Sequence, residues 1–228
     1  MRKLSKFFIL ITMAFAIGAC GTNDVDEQPT DPDSEQEVDN EQEPPKNETD
    51  NTWENEEINF AEQMEDTIEL EGMEEPILLN IYQPVDAPFV TYVPKDLLVE
   101  EVSGGEGDAY YFYANYGGNK LEDIYLQIYF FSENVSKQPS ADNKDSTYGV
   151  AVENMEKIEG VPYYDWALEE YMSPEGSRIV ALGEHEMNYF MVVVNSAVEY
   201  SEGFVPRANK VLEHLYWLDT QEYLIEQE

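Results

Sequence analysis

The chain has 228 residues and carries 49 acidic against 12 basic side chains, which gives a formal net charge of −37. This charge argues against binding to nucleic acid through a basic patch, because the phosphates would be repelled. The one cysteine, Cys20, excludes an internal disulfide and a Cys-x-x-Cys motif, and the two histidines exclude most histidine-based metal sites. We therefore expect no nucleic-acid partner and no cofactor, in a chain long enough for one domain with appendages.

Residues 1–20 have the parts of a secretory signal. Arg2, Lys3 and Lys6 supply a basic start, and the apolar run 7–17 is interrupted only by Thr12. A run of this length fits the hydrophobic region of a signal peptide and is too short to cross a membrane as a helix. The sequence therefore predicts export across the cell membrane.

The signal ends in Ile17-Gly18-Ala19-Cys20, which resembles the lipobox of bacterial lipoproteins. The resemblance implies cleavage after Ala19 and a diacylglyceryl group on the sulfur of Cys20, which would become the mature N-terminus. It also implies a lipid-anchored protein on the outer face of the cell membrane, with the lipid bilayer as a partner. The alternative is a plain secretory signal that happens to end in cysteine.

Residues 21–57 are predicted to be a disordered acidic tether. Over 21–75 the sequence has 22 acidic residues and a single base, Lys46. The tether is too poor in apolar side chains to fold, and the repulsion between its charges extends it. A flexible coil of this length spans roughly 30–35 Å. The alternative is a segment that binds Ca²⁺ or Mg²⁺, but the residue spacing of a Ca²⁺ loop is missing from the sequence.

Residues 58–228 are predicted to form one domain that begins with a series of strands. Its β-rich segments are separated by glycine-containing turns at 72–75, 104–107 and 117–119. Connections as short as these favour antiparallel pairing. The predicted strands are 67–70, 77–82, 89–93, 97–102, 109–116 and 124–131.

The second half of the domain is predicted to contain two helices with strands between them. One helix covers 146–158 and has Ser146 as its N-cap, and a last helix begins at Pro206. Strands are predicted at 166–171, 178–182 and 189–195. Apolar residues recur at helical spacing after Pro206 and define a buried stripe of Ala208, Val211, Leu212, Leu215 and Leu218.

The segment Phe89-Val90-Thr91-Tyr92-Val93-Pro94 resembles the opening of PsbP-like domains, and the order of strands, middle helix, strands and closing helix is similar too. The resemblance implies an α+β fold: a mostly antiparallel sheet with helices packed on it, as an α/β/α sandwich. With its lipobox and acidic spacer, the chain also resembles small uncharacterised surface lipoproteins of Gram-positive bacteria. Both resemblances imply an extracytoplasmic accessory or adaptor domain, and neither carries functional residues over to this sequence.

Motifs of catalysis are missing from the sequence. It contains no Gly-x-Ser-x-Gly, and neither His185 nor His214 has the second histidine of a zinc helix. We expect His185 on a turn between strands and His214 on the last helix. Hydrolysis by a carboxylate pair stays open. With 27 acidic residues over 76–228, some pair at a suitable separation is expected by chance, so the sequence does not identify a particular pair.

Tyrosine is unusually abundant, with 16 residues in the chain. Alternation along the strands 109–116 and 124–131 gives Tyr111, Tyr113, Tyr125 and Tyr129 one common sheet face. Tyrosine rings can stack on sugars or contact peptides while their hydroxyls stay in water, so this face is a candidate binding platform. The other interpretation is a core face that a helix covers.

These observations favour a lipid-anchored, non-catalytic binding or adaptor module whose partner is a protein or a wall polymer. The sequence leaves two alternatives open. A cleft with facing carboxylates beside aromatic rings would favour a wall-active hydrolase. Carboxylates that converge on one point would favour a surface protein that binds cations with low affinity.

Overall fold

The structure is a computed structural model that describes residues 59–132 and 138–227. These residues belong to one compact unit, Asn55–Glu228. The predictions for the signal, for lipidation of Cys20 and for the tether over 21–57 lie outside the described residues.

The described chain begins with three antiparallel strands, β1 (Gln63–Leu70), β2 (Met73–Tyr82) and β3 (Phe89–Pro94). The turn between β1 and β2 consists of Glu71 and Gly72, whose φ angles are 52° and 77°. Two successive residues with positive φ are what a type I′ hairpin turn requires. The three strands agree with the predicted segments, and the first two begin earlier.

Three longer strands follow as a meander: β4 (Leu97–Gly104), β5 (Gly107–Tyr116) and β6 (Asn119–Phe131). The register of β5 on β6 shifts at a bulge between Tyr113 and Ala114. Gly107 begins β5 at a close approach to β6, where a Cβ atom would collide with the backbone oxygen of Phe130. The β4–β5 hairpin therefore requires glycine at this position.

The middle helix is much shorter than the sequence predicts. Helix α1 covers only Thr147–Ala151, and its N-cap is Ser146, whose Oγ accepts a hydrogen bond of 3.0 Å from the Gly149 N–H. Asn154 adopts a left-handed conformation with φ of 61°, and the chain then enters strand β7 (Glu156–Lys157). The predicted cap is confirmed, and the predicted helix over 146–158 is wrong beyond Val152.

Three strands complete this part of the chain: β8 (Glu169–Met172), β9 (Arg178–His185) and β10 (Asn188–Asn195). The β9–β10 turn is formed by Glu186 and Met187, both with positive φ. His185, predicted on this turn, is the last residue of β9.

The closing helix, α2 (Val198–Glu213), begins eight residues before the predicted start and contains Pro206 internally. Proline cannot donate the i→i−4 hydrogen bond, so this helix depends on packing of its buried residues Phe204, Ala208, Val211 and Leu212. Leu215 and Leu218, predicted on the helical stripe, lie beyond its end, beside the short strands β11 (Tyr216–Trp217) and β12 (Glu222–Tyr223). Neither described helix is long and apolar enough to cross a membrane.

The strands form two antiparallel sheets, and this architecture contradicts the predicted α/β/α sandwich. One sheet has the order β1-β2-β3-β11-β12, and the other has the order β4-β5-β6-β10-β9-β8-β7. The fold is a β-sandwich-like arrangement with two helices. The expected antiparallel pairing is present, but α1 is a helix of five residues and cannot supply a helical layer.

The seven-stranded sheet has a core on each face. Its first face packs on α2, β3 and β11, and large side chains meet there, such as Phe112 and Phe190 of the sheet and Trp217 of β11. Its second face carries a smaller core, in which Tyr148 of α1 packs with Tyr129, Met191 and other residues of the sheet. Because α1 is short, the second face is covered only in part.

Candidate functional site

Two rows of cross-strand neighbours lie side by side on the second face, and the first row is less covered than the second, in which Val180, Val193 and Gln127 are buried. Residues directly opposite one another in antiparallel strands share a face, and the register therefore defines each row. The first row is Arg178, Asn195, Tyr125, Tyr113 and Leu98, and the second is Val180, Val193, Gln127, Tyr111 and Glu100.

Tyr111, Tyr113 and Tyr125 form a compact aromatic cluster at the centre of these rows, and we call it the tyrosine face. The rings of Tyr111 and Tyr113 are stacked, with centroids 5.4 Å apart and an interplanar angle of 9°. Tyr125 lies across both, at 5.6 Å from Tyr111 and 5.8 Å from Tyr113. All three side chains are half-buried, so the rings are held in place and remain accessible to a ligand.

Tyr129, the fourth tyrosine predicted for the platform, points to the same side of the sheet but is buried. Only 8% of it is exposed, and its ring meets the ring of Phe131 edge-on at 5.0 Å. It belongs to the core beneath α1, together with Tyr148. Burial is the main cause of its raised pKa. The predicted set of four therefore divides into three accessible rings and one core ring.

Hydrogen-bonding groups surround the tyrosine face. Gln127 is buried and donates from Nε2 to the hydroxyl of Tyr111 at 3.0 Å. Lys120 lies 3.9 Å from the ring centre of Tyr113 and pairs with Glu100 at 2.7 Å. Burial raises the pKa of the Tyr111 hydroxyl, and its tyrosine neighbours add to the shift while Arg178 opposes it.

Arg178 ends the first row and has an unusual environment for this acidic chain. It is half-buried, its Nε is buried without a hydrogen-bond partner, and it forms no ion pair with any carboxylate of the described ranges. Lys120, Lys157, Arg207 and Lys210, by contrast, each pair with an acidic side chain. A guanidinium group beside aromatic rings is suited to bind an oxygen-rich ligand.

A second feature is a cleft of about 880 Å³ between the loop before β8 and the C-terminal segment, and we call it the C-terminal cleft. The rings of Tyr164 and Trp166 stack in its wall with centroids 5.1 Å apart. Its lining consists of Tyr163, Tyr164, Asp165, Trp166, Glu213, Leu224, Ile225, Glu226 and Gln227.

The walls of the C-terminal cleft are fixed by hydrogen bonds. The buried carboxylate of Glu170 accepts the backbone N–H groups of Tyr163 and Tyr164 at 2.8 and 2.9 Å. On the opposite wall, Leu224 N–H donates to the oxygen of Leu215, and the Gln227 amide donates to the oxygen of Glu213, each at 2.8 Å. The cleft is thus preformed.

The carboxylates of this cleft lack the apolar surroundings that a glycosidase gives its general acid. A general acid must be kept protonated, usually by an apolar environment. Asp165 and Glu226 are exposed to solvent, and Glu213 pairs with Lys210 at 2.8 Å. This geometry favours binding over acid catalysis.

Both histidines are hydrogen-bonded to aspartates. His185 stacks on Trp217 with centroids 3.9 Å apart, and its Nε2 lies 2.8 Å from Asp219 beside a pocket of about 210 Å³. Partial burial would raise the pKa of Asp219, but hydrogen bonds from His185 and from the Thr220 N–H outweigh it and lower the pKa. The described lining of this pocket contains no serine, threonine or cysteine beside the His–Asp pair.

His214, predicted on the last helix, directly follows it and bonds to Asp66 at 2.9 Å. Within the part of the chain that the structure describes, no group of three His, Cys, Asp or Glu residues is arranged to hold a metal ion.

Sequence reasoning misses Arg178 and the C-terminal cleft. Arg178 joins the tyrosines only through the register of β9 on β10 and of β10 on β6, which the sequence does not specify. The aromatic run Tyr163-Tyr164-Asp165-Trp166 is the available signal for the cleft, but the sequence pattern places Trp166 in a strand.

Comparison with known proteins finds no match for this chain among protein-family models, curated proteins or solved structures. The geometry of its own residues therefore carries the functional argument.

Proposed function

We propose that the protein is a lipid-anchored, non-catalytic binding module on the outer face of the cell membrane, and that its tyrosine face binds a saccharide chain of the wall. The observation that carries this proposal is the accessible cluster of three tyrosine rings beside Arg178, which forms no ion pair among the residues that the structure describes. The lipobox and the acidic tether support the location.

A saccharide fits both the aromatic rings of this face and the hydrogen-bonding side chains beside them. The C–H faces of a sugar ring are apolar and stack on aromatic rings, while its hydroxyl and amide groups need hydrogen-bond partners. Arg178 and Asn195 lie in the same row as Tyr125 and Tyr113. Strands lie about 4.7–4.9 Å apart, so the row from Arg178 to Tyr113 spans roughly 14 Å, which is enough for two or three sugar rings.

The local charge also fits this ligand. The ten residues of the two rows contain one carboxylate, that of Glu100, which pairs with Lys120 at 2.7 Å, and Lys120 also lies 3.9 Å from Glu122 beside the rows. The two rows therefore repel a weakly anionic glycan less than a surface of average charge would in a chain with a net charge of −37.

Titration calorimetry of the full-length protein in detergent with chitotetraose, a chain of four N-acetylglucosamine units, tests the proposal. Replacing Tyr113 by Ala removes a stacking ring and should weaken binding about fivefold to tenfold, as loss of ~1 kcal/mol or slightly more predicts. Arg178→Gln should weaken it by a similar factor, because a charged donor is lost.

Tyr200→Ala is the matched control, because Tyr200 is an exposed tyrosine on α2, away from the sheet face. It should leave the affinity unchanged. Equal binding by the Tyr113→Ala, Arg178→Gln and unmodified proteins would refute the assignment of this face, and no heat of binding to chitotetraose would refute the saccharide class tested.

A further inference from the structure

The C-terminal cleft has the chemistry of a site for an organic ammonium group, and we propose that it binds one. The proposal concerns a second ligand at a second site and does not depend on the tyrosine face. It rests on three properties of the cleft: its aromatic wall, its charge and its preformed shape.

The aromatic wall supplies the first property. Tyr164 and Trp166 stack with an interplanar angle of 22°, and Tyr163 beside them is 62% exposed. The negative face of an aromatic ring attracts a cation, and the alkyl groups of an organic ammonium add apolar contact with the ring. A hydrated metal ion gains neither, because it requires oxygen ligands that converge on one point.

The charge of the cleft is the second property. Three carboxylates, Asp165, Glu213 and Glu226, belong to the lining, and none of the nine described lining residues is basic. Lys210 pairs with Glu213 and also with Asp66, so it neutralises only part of this charge. A cation is therefore the ligand that the cleft attracts, and an anion is repelled.

Preformation is the third property. Trp166 also packs on Phe190 of the core, with ring centroids 5.3 Å apart, and Glu170 fixes the backbone of Tyr163 and Tyr164. A ligand that enters does not have to order the aromatic wall, which lowers the cost of binding. The volume of about 880 Å³ accommodates a small solute or a single side chain from a partner.

The shared chemistry is an ammonium nitrogen with alkyl substituents, which a free solute or a lysine side chain can supply. The test is ligand-observed NMR and calorimetry on the full-length protein in a choline-free neutral detergent with about 150 mM KCl, close to physiological ionic strength. The probes are choline and N-acetyl-lysine amide. Potassium ion at this concentration competes for purely electrostatic sites, because it has the same charge without an apolar body.

We expect saturable binding with a dissociation constant on the order of 1 mM. Tyr163→Ala should weaken binding about threefold to fivefold, and Tyr163→Ala combined with Asp165→Asn should weaken it more than about tenfold. Both side chains are exposed at the protein surface, so these variants should fold normally. Tyr200→Ala and Glu202→Gln, which change a tyrosine and an acidic residue on α2 outside the cleft, should have no effect.

Saturation by choline supports a free solute as the ligand, and saturation by the lysine amide alone supports a lysine side chain of a partner. Failure of both probes to saturate in the potassium buffer overturns the proposal. Equal weakening by Glu202→Gln and by the cleft variants also overturns it, because it would show general attraction to an acidic surface.

Discussion

Tyr129 and Tyr113 lie on the same sheet face, on the two neighbouring strands β6 and β5, yet they have different surroundings. Tyr129 packs beneath α1 against Phe131 and is 8% exposed. Tyr113 is half-buried, stacks on Tyr111 and lies under Lys120. The difference arises because α1 covers one part of the face and leaves the tyrosine face accessible.

This difference predicts opposite consequences for two truncations. Tyr129→Ala removes a core ring and should lower the free energy of unfolding by about 3–5 kcal/mol. Tyr113→Ala removes stacking at the surface and should cost about 1 kcal/mol. Urea denaturation followed by circular dichroism measures both. A loss below about 1 kcal/mol for Tyr129→Ala would contradict its assignment to the core.

The sequence is sufficient to predict which tyrosines share a face, because side chains alternate along a strand with a period of two. It is not sufficient to predict which part of that face is covered. Coverage depends on where α1 ends and on how β10 pairs with β6, and both follow from tertiary contacts rather than from local pattern. Arg178 cannot be added to the site from sequence for the same reason.

At the scale of elements, Asp66 connects strand β1 to the end of helix α2. Its Oδ2 lies 2.9 Å from His214 Nε2 and 3.0 Å from Lys210 Nζ, and its Oδ1 accepts the Thr67 N–H at 2.7 Å. Partial burial alone would raise the pKa of Asp66, but the hydrogen bonds from His214, Thr67 and Lys210 outweigh it and lower the pKa below its ordinary value.

The lowered pKa of Asp66 gives a pH-dependent prediction. A carboxyl with a lower pKa in the folded state stabilises the fold above its unfolded pKa, and this stabilisation is lost as pH falls through the folded value. Asp66→Asn should therefore lower the free energy of unfolding by about 1 kcal/mol at about pH 7, with a smaller difference near pH ~3.

Glu65→Gln is the control for Asp66→Asn, because Glu65 is an exposed neighbour on the same strand. Denaturation under the neutral and the acidic condition should show a pH-dependent difference for Asp66→Asn alone. A constant difference at both pH values would show that the charge of Asp66 is not what connects β1 to α2.

Strands are predicted from this sequence more successfully than helices, and the two helices α1 and α2 show the physical reason. In α1, helical periodicity over 146–158 indicates a longer helix, but Asn154 takes a left-handed conformation and the chain pairs as β7. In α2, Pro206 indicates a start, but the helix tolerates it because Phe204 and Ala208 are buried on either side. Tertiary packing overrides the local signal in both, and the predicted fold class is wrong as a result.

At the scale of the molecule, the chain is dominated by its charge. Residues 76–228 contain 27 acidic side chains and eight basic ones, and four of the basic residues are already paired with acids. Negative charges on the compact domain therefore repel one another, and salt screens this repulsion over ~10 Å at about 0.1 M.

Screening predicts that the melting temperature rises as ionic strength increases from low values. Calorimetric scans in NaCl should show this rise, and equal concentrations of Ca²⁺ and Mg²⁺ should stabilise to a similar extent. A rise selective for Ca²⁺ would contradict the prediction, because charge screening does not distinguish two divalent ions of this kind, whereas a coordinated site does.

The proposed location of the whole molecule depends on lipidation of Cys20. A diacylglyceryl group has two acyl chains, and each buried methylene contributes about 0.8 kcal/mol. Two chains therefore anchor a protein stably, where one does so only marginally.

Cys20→Ala removes the acceptor sulfur and should release the protein from the membrane fraction or leave it unprocessed, as fractionation with immunoblotting measures. Thr22→Ala is the control, because Thr22 lies close to the cleavage point but outside the lipobox, and this variant should stay in the membrane fraction. Mass spectrometry of the unmodified protein should show a lipidated Cys20 at the N-terminus, and an unacylated N-terminus would show that 1–20 is a plain secretory signal.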